Sequence, residues 1–168
     1  MRILAIDPGN IDSGYVLMDE EYYPLQFGKV DNFHLREIIM EQETLNGLRR
    51  GREGELITVI EMIASYGMAV GATVFDTCVW IGRFTELANK VEYIYRKEEK
   101  MNLCGNPRAK DANIRQALID RFAQHDFKNG KGTKSSPDWF YGFKSDIWAA
   151  YAVGTTYLDK LKRGEINE

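Results

Sequence analysis

The feature that most constrains this chain is a short apolar run that ends in an acid. Residues 3–6 are all apolar, and they lead directly into Asp7, Pro8, Gly9 and Asn10, residue types that close a strand. An apolar run without polar alternation predicts a buried central strand rather than a half-exposed one. The sequence therefore places the carboxylate of Asp7 at the end of a central strand.

The rest of the pattern predicts a mixed sheet flanked by helices. Two further runs, residues 14–18 and 22–30, are separated by three acidic residues and suggest an antiparallel meander with the first strand. Residues 56–60 and 93–95 form two more predicted strands, and apolar residues at helical spacing predict helices at 35–48, 71–91, 109–122 and from about residue 143 onward. Strands followed by alternating strands and helices indicate an α/β fold.

The length and composition are those of one folded domain, residues 1–168. Apolar residues make up 44% of the chain and charged residues 28%, which excludes disorder for most of it. The two cysteines, Cys78 and Cys104, fit neither a zinc-binding spacing nor a disulfide scaffold. The N-terminal apolar run is too short for a signal peptide, and charges and glycines interrupt the longest apolar stretch. We therefore expect a soluble cytoplasmic protein without a membrane segment.

Three acids stand where an apolar element would otherwise continue. Asp7 follows the first strand, Glu61 follows the fourth, and Asp146 lies in the first turn of the last helix. A buried carboxylate without a partner is costly, so acids at such positions need a cation or strong donors. Oxygen ligands without nearby His or Cys favour Mg²⁺ or Mn²⁺, ions that serve phosphoryl transfer. Each acid alone also has a local explanation in a turn, a cap or a helix dipole.

Four segments resemble, in chain order, the motifs of the RuvC family of Holliday-junction resolvases. The first combines ILAIDPGN with SGY, so that a strand-end aspartate precedes Pro-Gly and a glycine begins the next strand. The others are IE at residues 60–61 followed by Gly71, the basic segment GNPRAKDANIR at 105–115, and DIWAAYA at 146–152. Because the order and spacing match over most of the chain, the four together are more specific than any one of them.

This resemblance implies an RNase H-like fold, a five-stranded mixed sheet with helices on both faces, and an enzyme that cuts four-way DNA junctions. It implies that Asp7, Glu61 and Asp146 hold Mg²⁺, with Mn²⁺ as a substitute, and that Lys110 stabilises the developing charge. Paired cuts imply a homodimer. The broad apolar face of the predicted helix at 71–91 is the expected contact, and burial of that face in the core is the alternative.

The chain departs from the family at one position. Bacterial cellular members carry a further acid or histidine three residues before the last aspartate, and this chain has Phe143 there. Lys144 beside it, or Asp138 further upstream, could enter the site instead. The departure makes the chain resemble the divergent resolvases of bacteriophages.

Charge is divided unevenly along the chain. The net charge of -3 gives no overall signal for DNA binding, but residues 1–61 hold 6 Lys and Arg against 12 Asp and Glu, a net of -6, whereas residues 96–134 hold 10 against 5, a net of +5. We expect this basic segment, which begins at Arg96, to contact DNA phosphates. The candidates are Lys97, Lys100, Arg108, Lys110, Arg115, Lys128, Lys131 and Lys134, with Arg49, Arg50 and Arg52 extending the surface; a solvated helix face also explains such charges.

Two other functions fit parts of the pattern. A strand followed by Asp-x-Gly and a hairpin also begins the phosphate loop of ATP-binding kinases and chaperone-like ATPases, although those proteins close two such domains over a nucleotide. A non-catalytic protein that binds junctions with the same fold is the second alternative. Because no base-reading motif is evident, we expect recognition of branch shape more than of base sequence.

Overall fold

The computed structural model describes residues 1–48, 55–65 and 67–166. Within these ranges the chain forms five strands and five helices, in the order β1 (Arg2–Asp7), β2 (Asp12–Asp19), β3 (Pro24–Asp31), α1 (Asn32–Leu48), β4 (Leu56–Met62), α2 (Ala72–Leu87), β5 (Val91–Tyr95), α3 (Arg96–Cys104), α4 (Asp111–Phe122) and α5 (Ile147–Lys162). No helix in these ranges is long and apolar enough to cross a membrane.

The five strands form one mixed sheet in the order β3-β2-β1-β4-β5. β1 pairs antiparallel with β2, and β2 pairs antiparallel with β3, as the predicted meander requires. On the other side, β1 pairs parallel with β4 and β4 parallel with β5, since α1 and α2 carry the chain back along the sheet between these strands. The predicted five-stranded mixed sheet is confirmed, with β1 at its centre.

Helices cover both faces of the sheet, which explains the unbroken apolar run of β1. Successive side chains of a strand point to opposite faces. Ile3 and Ala5 join the core under α4 and α5, whereas Leu4 and Ile6 join the core under α1 and α2. All four side chains are fully buried, so β1 has no solvent-facing position that would call for a polar residue.

Helix α3 is the one described helix that the apolar pattern does not predict. Its first five residues are all charged, and it has no apolar stripe of the kind that marks a helix in a sequence. A cap stabilises its beginning instead, because the Glu98 carboxylate accepts a hydrogen bond from the backbone N–H of Tyr95 at 2.8 Å. This helix connects the end of β5 to α4.

Two predicted helix boundaries shift for identifiable reasons. α2 ends at Leu87 rather than at residue 91, and the chain then turns where Glu43 accepts hydrogen bonds from the backbone N–H and the side-chain amide of Asn89, at 3.1 and 2.5 Å. α5 begins at Ile147 rather than near residue 143. Ser145 has a φ of 38°, which is incompatible with a right-handed helix, so the helix can only begin after it.

Candidate active site

The C-terminal ends of β1 and β4 bring Asp7 and Glu61 side by side. The parallel register pairs Ile6 with Ile60, so the next residue of each strand emerges at the same edge of the sheet. Asp7 also pairs with Gly14 on β2, and Gly14 pairs with Lys29 on β3. One row across the sheet therefore carries Glu61, Asp7 and Lys29, with only Gly14 between Asp7 and Lys29.

Asp146 reaches this row because Gly14 has no side chain. A Cβ at position 14 would lie 2.5 Å from the backbone oxygen of Asp146 and 2.7 Å from its carbonyl carbon, so the start of α5 lies directly against β2. The carboxylate of Asp146 is held from two sides, since Lys29 Nζ lies 2.7 Å from Oδ2 and Ser145 Oγ donates to Oδ1 at 2.8 Å. The sequence-predicted triad of acids is thus collected at one edge of the sheet.

A hydrogen-bond network fixes the turn that follows Asp7. Ser13 Oγ accepts from the backbone N–H of Gly9 at 3.1 Å and donates to Asn32 Oδ1 at 2.6 Å. The Asn32 amide in turn donates to the Gly9 carbonyl at 2.9 Å. Ser13 and Asn32 are both buried, and their pairing satisfies polar groups that have no access to water. The turn therefore has one shape, which sets the position of Asp7.

The clustered acids change one another's pKa. Burial, the charge of Glu61 and the charge of Asp146 together raise the pKa of Asp7 from 3.8 to about 8. Burial also raises the pKa of Glu61. Asp146 differs, because hydrogen bonds from Lys29 and Ser145 outweigh its burial and lower its pKa. Asp7 and Glu61 therefore form an acidic pair that retains a proton near neutral pH unless a cation balances it.

Arg96, the first residue of α3, lies on the other side of this pair. Its Nη1 is 3.8 Å from Glu61 Oε2 and 2.7 Å from Glu99 Oε2, and its Nη2 is 2.5 Å from Asp111 Oδ1. Glu99 is fully buried, and burial together with the charge of Glu61 raises its pKa well above the usual range. One guanidinium therefore holds carboxylates from β4, α3 and α4.

An open cleft of about 470 Å³ is lined by Asp7, Glu61 and Asp146, and also by Arg96 and Asp111. The acidic side chains of the cleft offer carboxylate oxygens, the ligands that Mg²⁺ and Mn²⁺ prefer. The raised pKa values of Asp7 and Glu61 indicate that the cleft lacks positive charge to balance them. Within the described ranges, no three Asp, Glu, His or Cys side chains are grouped as ligands of a single metal ion. The chemistry of the cleft fits a divalent cation, and binding one requires the carboxylates to draw closer together.

Of the predicted basic residues, Arg115 lines this cleft. The positive charge of Lys100 acts on Glu61 and opposes the burial that raises the pKa of that acid. Lys110 is exposed immediately before α4 and adjoins Asp111, which is part of the cleft wall.

Two other predicted basic residues lie away from the carboxylates. Lys97 lines a separate apolar depression with Tyr95 and Met101, so it is not part of the cleft. Arg108 is exposed in the turn before α4. The arginines at positions 49, 50 and 52 lie outside the residues that the structure describes.

The structure does not bring Asp138 to the cleft. Its carboxylate accepts hydrogen bonds from the backbone N–H groups of Gln124, His125, Asp126 and Trp139 at distances between 2.6 and 2.9 Å. These bonds outweigh its burial and hold its pKa below the usual range, so Asp138 organises a loop instead of entering the site. Lys144 is exposed next to Ser145, at the rim of the cleft.

Sequence reasoning missed the groups that balance the acids. Lys29 is distant in sequence from all three carboxylates, and only the register of the β1-β2-β3 meander reveals that it shares a row with Asp7. Arg96 was expected to contact phosphates, whereas it lies among carboxylates. Glu99 sits in a helix without an apolar stripe, so nothing in the pattern indicated its burial.

Comparison with known proteins identifies the fold. No protein-family model and no curated protein sequence matches the chain. Among solved structures, that of Thermus thermophilus RuvC matches with a TM-score of 0.62 and 17% sequence identity, over 98% of this chain and 97% of that chain. The structure of T. thermophilus RuvC in complex with Holliday junction substrate matches with a TM-score of 0.60 and 14% identity, over 98% and 96%. The predicted RNase H-like fold is confirmed; at this identity the likeness concerns the fold.

Replacing Asp7 by Asn should stabilise the protein when no divalent metal is present. The pKa of Asp7 rises on folding from 3.8 to about 8, so the native protein loses stability as the pH rises from about 4 toward 8, because the carboxyl ionises in the unfolded chain but stays protonated in the native one. The neutral amide removes this loss. In thermal unfolding at pH 8 with a chelator, we expect the Tm of D7N to exceed that of the wild type by about 5 °C.

The matched control for this variant is Asp120→Asn, which neutralises an exposed acid on α4 and should leave the Tm nearly unchanged. Added Mg²⁺ should raise the Tm of the wild type and of D120N but not that of D7N. Equal Tm values for D7N and the wild type at pH 8, with no effect of Mg²⁺ on either, would contradict a cation site at Asp7.

Replacing Gly14 by Ala should disturb the contact between β2 and the start of α5. The added Cβ would lie 2.5 Å from the Asp146 backbone, and relief of such overpacking typically costs about 1–3 kcal/mol. Urea unfolding measures this loss. Gly47→Ala on α1 is the control, because no atom lies within 4 Å of its Cβ and Ala favours a helix. A G14A variant as stable as G47A would refute the contact.

Proposed function

We propose that this protein is a metal-dependent endodeoxyribonuclease that resolves Holliday junctions and cuts other branched DNA. The observation that supports this best is the convergence of Asp7, Glu61 and Asp146 on one open cleft. The fold is shared with RuvC, and one of the matching structures is a complex of RuvC with a Holliday junction substrate. Acidic side chains in this arrangement serve hydrolysis of a phosphodiester rather than recognition of bases.

In this proposal Asp7, Glu61 and Asp146 hold Mg²⁺, or Mn²⁺ in its place. The bound ion would lower the pKa of the attacking water and stabilise negative charge on the scissile phosphodiester. The protein's own cations orient the ligands: Lys29 fixes the carboxylate of Asp146, and Arg96 limits the movement of Glu61. These contacts orient the side chains, and binding of the ion would still require the carboxylates to draw closer together.

Lys110 is the proposed source of positive charge for the reacting phosphate. Its backbone N–H donates to the Asn113 side chain at 2.9 Å, which fixes the start of α4, and Lys110 is exposed directly before Asp111, a residue that lines the cleft. A cation in this place favours the transition state, in which the phosphoryl oxygens carry more negative charge than in the substrate.

The active protein in this proposal is a homodimer formed through the outer face of α2. Phe75 and Val79 on this helix are 61% and 54% exposed, and Phe33 of α1 is 63% exposed beside them. Phe33 and Val79 line a shallow apolar groove together with Gly82, and a glycine on a helix face allows a second helix to approach closely. Such a patch is costly in water and suits a protein partner, and a second copy supplies the second cutting site.

A non-catalytic protein that binds junctions is the second candidate. The observation in its favour is that Lys29 and Arg96 already provide positive charge to the acidic cluster, so the site is partly balanced without a metal ion. Retention of DNA binding without cleavage is the expected behaviour of such a protein.

A cleavage assay distinguishes these candidates. We expect the wild type to introduce paired nicks into a labelled four-way junction with Mg²⁺, and Asp7→Asn or Glu61→Gln to reduce the rate by at least about 100-fold, since each removes a metal ligand. The exposed control Asp120→Asn should cut normally. Junction binding without cleavage by the wild type would favour the second candidate, and ATP turnover without DNA cleavage would favour an ATPase.

The dimer interface has its own test. Val79→Lys buries a charge in the proposed contact and should shift the protein from dimer to monomer in sedimentation experiments, with single rather than paired nicks in the junction. Met101→Lys is the control, because Met101 is also exposed, at 47%, but lies on α3. A monomeric wild type, or a V79K variant that remains dimeric, would refute this interface.

A further inference from the structure

A second cluster of charge lies beside the carboxylates, and it is positive. Arg115, Lys131 and Lys144 form no ion pair with any acid that the structure describes, unlike Arg121 and Arg163, which pair with carboxylates. Exposed lysines are often unpaired, but Arg115 and Lys131 are half-buried. Partial burial of a cation without an acid is costly, so their placement calls for an anion from outside the chain.

Arg115 is positioned by an aromatic ring. It projects from α4, lines the cleft with Asp7 and Asp146, and places its guanidinium carbon 4.7 Å above the ring of Trp148. Stacking covers the flat face of a guanidinium and leaves the N–H groups at its edge free to donate. The group is therefore held in place with its hydrogen-bonding capacity unused.

Lys131 is fixed through its backbone. Its N–H donates to Asp126 Oδ2 at 3.2 Å, and its carbonyl accepts from the N–H of Asp138 at 2.9 Å. The next residue, Gly132, donates to the same Asp126 oxygen at 3.0 Å and pairs with Pro137 as an isolated β-bridge. The loop around Lys131 is thus an organised structure, and the role of Asp138 is to build it.

Aromatic packing joins this loop to the cleft. The carbonyl of Gly130 accepts a hydrogen bond from the N–H of Phe140 at 2.8 Å, and the Phe140 ring lies 4.5 Å from the ring of Trp148. Trp148 in turn lies beneath Arg115. Lys144 is exposed and directly precedes the cleft residues Ser145 and Asp146. Burial, followed by the charges of Arg115 and Lys144, lowers the pKa of Lys131, which agrees with three cations that share one region.

We propose that Arg115, Lys131 and Lys144 bind one non-scissile phosphodiester of the DNA strand that passes through the carboxylate cleft. This inference rests on the proposed nuclease function and adds to it a second anchoring point on the same strand. A phosphate monoanion balances part of the charge of the cluster, and the free edge of Arg115 suits its oxygens. Two fixed points, the scissile phosphate and this one, define the direction in which the strand crosses the cleft.

The test removes the charge of the phosphate by chemical modification of the DNA and the charges of the lysines by substitution in the protein. Junctions are prepared with a single uncharged methylphosphonate at each position near the cut in turn, and their binding to the full chain is measured with a chelator present so that no cleavage intervenes. One position should weaken wild-type binding by about tenfold, as expected for a charged hydrogen bond. The double variant Lys131→Gln with Lys144→Gln should weaken binding to the unmodified junction by a similar factor and show no further loss with that methylphosphonate.

Two control variants distinguish a specific phosphate site from nonspecific electrostatic attraction between the protein and DNA. Lys90→Gln with Lys162→Gln removes the same charge directly before β5 and at the end of α5, outside the cleft lining, and should retain both the affinity and the methylphosphonate effect. Lys131→Arg with Lys144→Arg keeps the charge and should restore binding. The slope of log K against log salt should fall by about 1 in the glutamine variant, corresponding to one phosphate.

The possible outcomes distinguish the two proposals. If the wild type cleaves junctions but no single methylphosphonate depends on Lys131 and Lys144, the phosphate site is refuted and the nuclease function stands. If the dependence is found but Mg²⁺ supports no cleavage, the phosphate site stands and the nuclease function is refuted. A wild type that does not bind junctions refutes both.

Discussion

The parallel pairing of β1 with β4 is the constraint on which the rest of the site depends. It places two carboxylates next to each other at the end of neighbouring strands, where like charges repel and burial raises the pKa of each acid. Two cations offset part of that repulsion, and a hydrogen-bond network fixes the backbone beside it. Lys29 and Arg96 approach the acidic cluster from opposite sides, and the Ser13–Asn32 network holds the turn in which the first acid ends.

Apolar burial holds this unfavourable arrangement together. α5 is buried along nearly its whole length against β1 and β2, including Ala150, Tyr151 and Val153, which are fully inaccessible. Its packing brings Asp146 to the other acids, although electrostatics alone would separate them. The packed core fixes the backbone, and the backbone holds the carboxylates close together although their repulsion lowers the stability of the fold.

The sequence is informative where one physical pattern leads to one structure, and less so where distant residues meet. The run at residues 3–6 was enough to predict the central strand. The expectation that Asp7, Glu61 and Asp146 share one site came from the motif resemblance together with their positions at strand and helix ends, and all three line one cleft. Lys29 and Glu99 could not be predicted in the same way, because the first depends on a register across three strands and the second lies in a helix without an apolar stripe. Asp138 was a plausible site residue by spacing, but four backbone N–H groups occupy its carboxylate.

Phe143 bears on how this chain can change over evolutionary time. Its fully buried ring lies 4.6 Å from that of Phe27 and 5.1 Å from that of Phe140, and it also contacts Trp148 and Tyr151. An acid introduced here would lose this packing and place a carboxylate among aromatic rings, at a cost of several kcal/mol. The aromatic cluster therefore opposes any single substitution at position 143 that would restore the acid or histidine which the motif resemblance places there. An acid at position 143 would first require other substitutions that change the packing of the loop before α5.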